Sequence, residues 1–412
     1  MHKLDVSPAN TEAKARDAAA WLQQHGYGLS ELSYNATSTG TECYVPILAA
    51  LVQLTQLQSL ALSSFDLHIR AHALTSLQRL TSLQMTQCNI QIPDLVPLSV
   101  LVNLRELSIR GTLEIDAEGT HFINLSRALT QLTSLNLGMC GYLHNPRGLS
   151  ELKHVQDLDI SYVSELEIAD LPVMPSLTKL TFDGNWLLED SASTMHALSR
   201  LQHLDVHDCF FSHEASAFAN LVSLTRLVAV HGGENGDGTR CVLLTALGPL
   251  QQLRHLVVSS DFKQADPISS FSVLGTLQHL THLELRGPQL PAGALAAMFS
   301  TSQGDAGATC LPGLQCLQIR NETHEDDDEE DWQAPGGCIS SNEVALLAKS
   351  CPELHSLCID DYLIEDDGFL NLSGLTSLTA LTCRVVMSGN VKGTHSKVSV
   401  AGYNNNCECC LS

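Results

Sequence analysis

The stretch "LQHLDVHDC" at 201–209 decides how the whole chain is read. Leu201, Leu204 and Val206 are apolar, and His203, Asp205 and His207 interleave with them. Side chains alternate across a β-strand, so an extended Leu204-x-Val206 puts both apolar groups on one face and the His-Asp-His trio on the other. Taken alone, the trio reads either as a set of metal ligands or as the wet side of something periodic.

Self-comparison favours the second reading. The phrase L-x-x-L-x-L recurs as "LQSLALSSF" at 57–65, "LTSLQMTQC" at 80–88, "LRELSIRGT" at 104–112 and "LTSLNLGMC" at 132–140. It continues through "VQDLDISYV" at 155–163, "LTKLTFDGN" at 177–185, "LTRLVAVHG" at 224–232 and "LRHLVVSSD" at 253–261. The last copies are "LTHLELRGP" at 280–288, "LQCLQIRNE" at 314–322, "LHSLCIDDY" at 354–362 and "LTALTCRVV" at 378–386. A weaker copy, "LSELSYNAT", stands at 29–37 after the helical-looking "DAAAWLQQHG". The second leucine of each copy forms a ruler: Leu32, Leu60, Leu83, Leu107, Leu135, Leu158, Leu180, Leu204, Leu227, Leu256, Leu283, Leu317, Leu357 and Leu381. No single copy can bury its two inward residues, but stacked copies share one core.

This period and phrase resemble the leucine-rich-repeat family over residues 29–386. The resemblance implies an α/β fold: a right-handed horseshoe solenoid with a concave parallel sheet of about 14 short strands. Copies 22–24 residues apart have room outside the sheet only for turns or short 3₁₀ pieces. Longer ones have room for helices, such as "EVALLAKS" at 343–350. The expected organisation is an N-terminal helical cap at 1–28, the solenoid at 29–386 with an acidic disordered insert at about 321–337, and a C-terminal cap and Cys-rich tail at 387–412, poorly ordered after about 390. "VALLAKSCPELHSLCIDDYLIEDDGF" at 344–369 looks like the cysteine-containing repeats of F-box/leucine-rich-repeat proteins, while the 22–24-residue copies look plant- or alga-like. Residues 1–28 hold no F-box-like Leu-Pro-x-E helix, so recruitment to a ubiquitin ligase does not carry over directly.

Composition agrees with a leucine-built interior. The chain of 412 residues is 44% hydrophobic but only 5% aromatic, and its net charge of −23 argues against nucleic acid as a partner. Residues 321–370 carry 15 Asp and Glu against one Lys, so most of the excess sits in one stretch around "HEDDDEED" at 324–331. That run reads as a solvated insert, with docking of a basic partner or a divalent cation as the alternative. The N-terminus has no apolar signal region and no run of about 18 apolar residues occurs, so a cytoplasmic protein without a transmembrane segment is expected, its 14 cysteines mostly reduced. On that basis the sequons at Asn35, Asn124, Asn321 and Asn371 are expected to be unused. Cys88, Cys140 and Cys209, ninth in their copies, read as buried structural thiols. "GGENGDG" at 232–238 lacks the Gly-Lys-Ser/Thr of a phosphate loop and reads as a turn. Cys409-Cys410-Leu411-Ser412 matches a prenylation box without a polybasic stretch before it, with Cys407 as a second acylation site; peripheral membrane contact would depend on Cys409 being modified.

With Leu204 and Val206 inward, the trio belongs to the outward columns of the sheet. From the copy at 177–185 to that at 280–288 the first column reads Lys179, His203, Arg226, His255, His282. The second reads Thr181, Asp205, Val228, Val257, Glu284, and the third Asp183, His207, Val230, Ser259, Arg286. Charge, imidazole and exposed valine concentrated in one region point to a partner-binding surface on the concave face. The competing reading is a solvated face whose polar residues vary freely, and a bulge in "LVAVHG" would turn Val228 and Val230 inward. Asp183, Asp205 and His207 form the best metal set, although no metal or other cofactor is expected. His203, His207, His231, His255 and His282 would make binding pH-dependent. The expected function is a non-enzymatic, monomeric scaffold for a protein partner. The alternatives are a substrate receptor of an F-box-like ligase acting through a separate adaptor, a metal-dependent enzyme, and a cytoskeletal or axonemal role.

Overall fold

The computed structural model describes residues 3–6, 12–36, 45–65, 71–88, 90, 92–111, 120–141, 143, 146–163, 166, 170–183, 196–207, 215–230, 243–259, 268–287, 290–300, 310–320, 338–364, 370–385 and 396–401. The chain divides into two compact units, Met1–Trp186 and Leu187–Ser412.

The first unit carries β1 (Lys3–Val6), β2 (Glu31–Asn35), β3 (Ser59–Ser63), β4 (Ser82–Thr86), β5 (Glu106–Arg110), β6 (Ser134–Asn136), β7 (Asp157–Asp159) and β8 (Lys179–Asp183). Each pairs in parallel with the next, and the ruler leucines face one another: Leu32↔Leu60, Leu60↔Leu83, Leu83↔Leu107, Leu107↔Leu135, Leu135↔Leu158, Leu158↔Leu180. The second unit carries β9 (His203–His207), β10 (Arg226–Val230), β11 (His255–Ser259), β12 (His282–Arg286), β13 (Cys316–Arg320), β14 (Cys338–Ile339), β15 (Ser356–Ile364), β16 (Ala380–Val385) and β17 (Ser396–Ala401). Its leucines align in the same way from Leu204 to Leu381. Every ruler leucine lies in a strand, and all but Leu381 are at most 3% exposed. Each unit is thus a parallel coil in which a residue's inward position is completed by the copies before and after it.

Three strands lie outside the ruler. Residues 1–28, expected to be helical, do contain helix Glu12–His25, but β1 precedes it and pairs with β2 at Leu4↔Leu32. The coil therefore begins one strand earlier than the phrase indicates. The short β14 pairs with the end of β15, where the register slips between Ile359 and Leu363. At 396–401, inside the span expected to hold a C-terminal cap and a tail poorly ordered after about 390, β17 pairs antiparallel with β16. An antiparallel partner uses the backbone groups that a terminal strand would otherwise leave open.

Outer segments follow the spacing. Short copies close with 3₁₀ turns such as Ala71–Leu74, Pro146–Glu151 and Ala215–Asn220, while longer ones admit helices Thr120–Ala128 and Ser341–Ser350. The latter starts at Ser341 because Ser340 caps it: Ser340 N donates to Glu343 Oε2 at 3.1 Å and Ser340 Oγ accepts from Glu343 N.

The L-T-x-L form of many copies has a backbone cause. The residue after the first leucine and its successor both donate to one carbonyl of the previous copy, as Thr281 N and His282 N do to Arg254 O. Where that residue is Thr, its hydroxyl adds a third bond: Thr81 Oγ1 to Gln58 O at 3.0 Å, Thr133 to Arg105 O at 3.1 Å, Thr225 to Gln202 O at 3.1 Å, Thr281 to Arg254 O at 2.9 Å. This uses the second lone pair of a carbonyl at the sheet margin.

At the other end of the strands the eighth residue turns the chain in five copies of the first unit. Ser64, Gln87, Gly111, Met139 and Tyr162 all have φ between 53° and 85°, and each donates its N–H to a backbone carbonyl of the following copy. The ninth-position thiols complete this turn. Cys88 Sγ donates to Leu62 O at 3.5 Å and Cys140 Sγ to Ile109 O at 3.0 Å, the sixth-position carbonyl of the preceding copy in both cases. Burial pushes Cys88 up to about 11 and Cys140 up to about 12, so both are structural thiols and not nucleophiles. Cys209 lies outside the described residues.

Candidate functional site

In the second unit β9 to β13 pair without a register shift, with Arg226↔His203, Val228↔Asp205, Val230↔His207, Val228↔Val257, Val257↔Glu284 and Glu284↔Gln318. The inward residues Leu204, Val206, Leu227, Ala229, Leu256 and Val258 are at most 1% exposed. Alternation then places His203, Asp205, His207, Arg226, Val228, Val230, His255, Val257, His282, Glu284 and Arg286 together on the opposite face. The bulge considered for "LVAVHG" does not occur.

One expectation about this face is overturned. Val228 and Val257, expected to be exposed apolar groups, are only 5% and 4% exposed. They do point away from the core, but neighbouring strands stand about 4.8 Å apart. Val228 lies between Asp205 and Val257 and beside Arg226, and Val257 lies between Val228 and Glu284 and beside His255, so longer neighbours shield both short β-branched groups.

The covering groups hold one another. Arg226 Nε lies 3.3 Å from Asp205 Oδ1, Glu284 Oε1 accepts from Arg286 Nε at 2.9 Å, and Arg320 Nε stands in an ion pair 3.1 Å from the same oxygen. Arg320 Nη2 also donates to Gln318 Oε1 at 2.6 Å. The Glu284 side chain is 13% exposed, so these pairs are less screened than ordinary surface pairs. Sequence reasoning stopped at Arg286 and missed Cys316, Gln318 and Arg320, which occupy the same three columns in "LQCLQIRNE". Three arginines against two carboxylates leave this group with a positive excess in a chain of net charge −23.

His255 and His282 stack, with ring centroids 5.4 Å apart. Burial, then Arg226, then His282 bring the His255 imidazole down from 6.5 to about 4, and burial and Arg226 lower His282 as well. His255 is therefore neutral in the folded protein at pH 7 and does not act as a binding switch near pH 6.5. The linkage runs through stability instead. The unfolded chain takes up this proton at about 6.5 and the folded one at about 4, so the contribution is complete above pH 6.5 and is lost as pH falls toward 4. The melting temperature should drop between pH 7 and pH 5, and drop less in His255→Gln. Equal drops in the two proteins would show that the ring is not held neutral.

Lys179 and Asp183 belong to the first unit. There Lys179 Nζ pairs with Asp157 Oδ2 at 3.1 Å, and Asp183 is buried at the end of β8. That unit also contains a turn network absent from the sequence reading. Asn136 Nδ2 donates to Asp159 Oδ2 at 2.6 Å, while Asp159 Oδ1 accepts from Ser161 N and Oγ. Asn136 Oδ1 accepts from Gly138 N at 2.8 Å, and a Cβ on Gly138 would meet Ser161 Oγ at 2.9 Å.

For the metal set Asp183, Asp205 and His207, the Asp205 carboxylate is engaged by Arg226. Among the described residues no group of three or more His, Cys, Asp or Glu is placed to hold a metal ion. Among them, too, no helix is long and apolar enough to cross a membrane. His231, the 232–238 loop, the acidic run at 324–331, Cys407 and Cys409 lie outside the described residues.

No protein-family model matches the chain, and no curated protein does. Solved structures do. An internalin (inlF) from Listeria monocytogenes superposes with a TM-score of 0.57 at 17% identity, over 90% of this chain and 93% of that one. A leucine-rich-repeat protein of Leptospira interrogans covers 91% of this chain and 93% of its own at 16% identity, with a TM-score of 0.45. Together with the in-register leucine ladder, the internalin match shows the fold: the chain is a leucine-rich-repeat solenoid.

Proposed function

We propose that the protein is a non-enzymatic scaffold that binds a protein partner on the β9–β13 face of its second unit. The observation that carries this reading is the ordered polar layer over that face, the Asp205–Arg226 pair and the Glu284–Arg286–Arg320 group above buried Val228 and Val257. A solvated face with no partner has no need of such order. Side chains already held in one rotamer lose less entropy when a partner docks, and partly buried arginines are frequent anchors at interfaces. Repeat coils present such surfaces without supplying a reaction centre, which supports a binding role over catalysis.

The test is quantitative affinity capture from native cells with wild type and with the triple variant His203→Ala, Asp205→Ala, Arg226→Ala. Partners bound through this face should fall by about tenfold or more in the variant. Ubiquitin-ligase subunits among them would turn the reading toward an adaptor-dependent receptor. An unchanged partner set, with the variant's melting temperature intact, would reject the face as the binding surface.

A further inference from the structure

In the first unit, where the chain runs into the strands, a cleft of about 520 Å³ opens between copies, lined by Gln58, Arg79, Thr81, Asn103, Arg105 and Gln131. The lining contains two guanidiniums, three carboxamides and no acid. Nor is any residue flanking the first leucine acidic in the six copies from 57–65 to 177–185, in a chain holding 45 Asp and Glu. Among the described residues the Arg105 side chain forms no ion pair or hydrogen bond. Arg79 meets only the neutral Gln56, with Nη1 donating to Oε1 at 2.6 Å. The scaffold around them is fixed: Asn103 Nδ2 donates to Gln78 O at 2.9 Å and Thr81 Oγ1 to Gln58 O at 3.0 Å. Two cations without carboxylate partners, on a rigid repeat margin of a strongly acidic protein, form a local attractor for negative charge.

We propose that this cleft binds an extended acidic peptide segment, whose carboxylates meet Arg79 and Arg105 and whose backbone meets Gln58, Asn103 and Gln131. Guanidinium and carboxylate match in a planar, two-bond geometry. The carboxamides favour a peptide over an inorganic anion. Each offers an acceptor oxygen as well as a donor, which suits the N–H and C=O groups that alternate along a peptide backbone, whereas the oxygens of an inorganic phosphate at neutral pH are mostly acceptors. The volume agrees, since it is in the range of sites that take molecules far larger than a single anion. This site is separate from the β9–β13 face and stands or falls independently of it.

Fluorescence anisotropy with a labelled peptide of alternating Glu and Gly, at low salt, tests the proposal on the full chain. Wild type should bind it saturably and ignore the same peptide with Gln in place of Glu. Arg79→Gln with Arg105→Gln should weaken binding by about tenfold, the size of two partly screened pairs. The triple variant at His203, Asp205 and Arg226 should bind as wild type does. Both arginines are exposed, so the double variant should melt with wild type; if it does not, Arg105→Gln alone carries the comparison. Absence of saturable binding, equal binding by the arginine variants, or displacement by millimolar inorganic phosphate would overturn the assignment.

Discussion

Leu256→Ala is expected to lower the unfolding free energy by about 3 kcal/mol, within the range for emptying a fully buried leucine site. Leu256 is 0% exposed and faces Leu227 on one side and Leu283 on the other, both also buried. Neighbouring strands are tied to one another by their backbone ladders, so the lining cannot collapse onto the missing side chain, and lost contacts add to lost burial. The damage should also be local, because each copy touches only its neighbours. Hydrogen exchange should show amides of β10, β11 and β12 losing protection before those of β2 to β5. Val222→Ala, at a position 51% exposed, is the control and should stay within about 0.5 kcal/mol. A Leu256→Ala protein as stable as this control would mean that the leucine ladder is not the source of stability.

Gly275→Ala is expected to be nearly as damaging for the opposite reason. Gly275 lies in the 3₁₀ segment Ile268–Thr276, packed against helix Ala294–Phe299, and a Cβ there would overlap the carbonyl oxygen of Met298. A backbone atom cannot rotate aside as a side chain can, so the two outer segments must separate, at a cost of about 2–3 kcal/mol. Gly248→Ala is the matched comparison: its Cβ would meet only Val273 Cγ1, at an ordinary 3.7 Å. That change should be neutral or stabilise by up to about 1 kcal/mol through the unfolded chain. Urea midpoints of the two variants check the contrast, and equal midpoints would show that the outer segments yield freely.

The architecture was legible because it repeats. Each ruler leucine of the phrase lies in a strand and, within each unit, pairs with the next in register, since one inward position recurring along the chain can be buried only by stacking. The misses have physical causes. The "KLDV" of β1 offers one short alternation with no leading leucine, too little to register as a copy until its pairing with β2 is seen. The pairing of β17 with β16 is antiparallel, so it follows no repeat period. The outward columns were legible as columns, and Arg320 could have been found by extending them one copy further. The covering of Val228 and Val257 could not, because alternation sets the direction of a side chain and says nothing of what stands beside it.

The sequence by itself determined the period, the positions of the fourteen ruler strands and the face on which their residues stand, all of which follow from local geometry repeated down the chain. Only the tertiary structure decided that Glu284 holds both Arg286 and Arg320, that His255 is kept neutral, and that Arg79 and Arg105 line one cleft with no carboxylate among its described lining residues. Those outcomes depend on distances between side chains from different copies. Such distances are set by how neighbouring coils pack, which no single copy encodes.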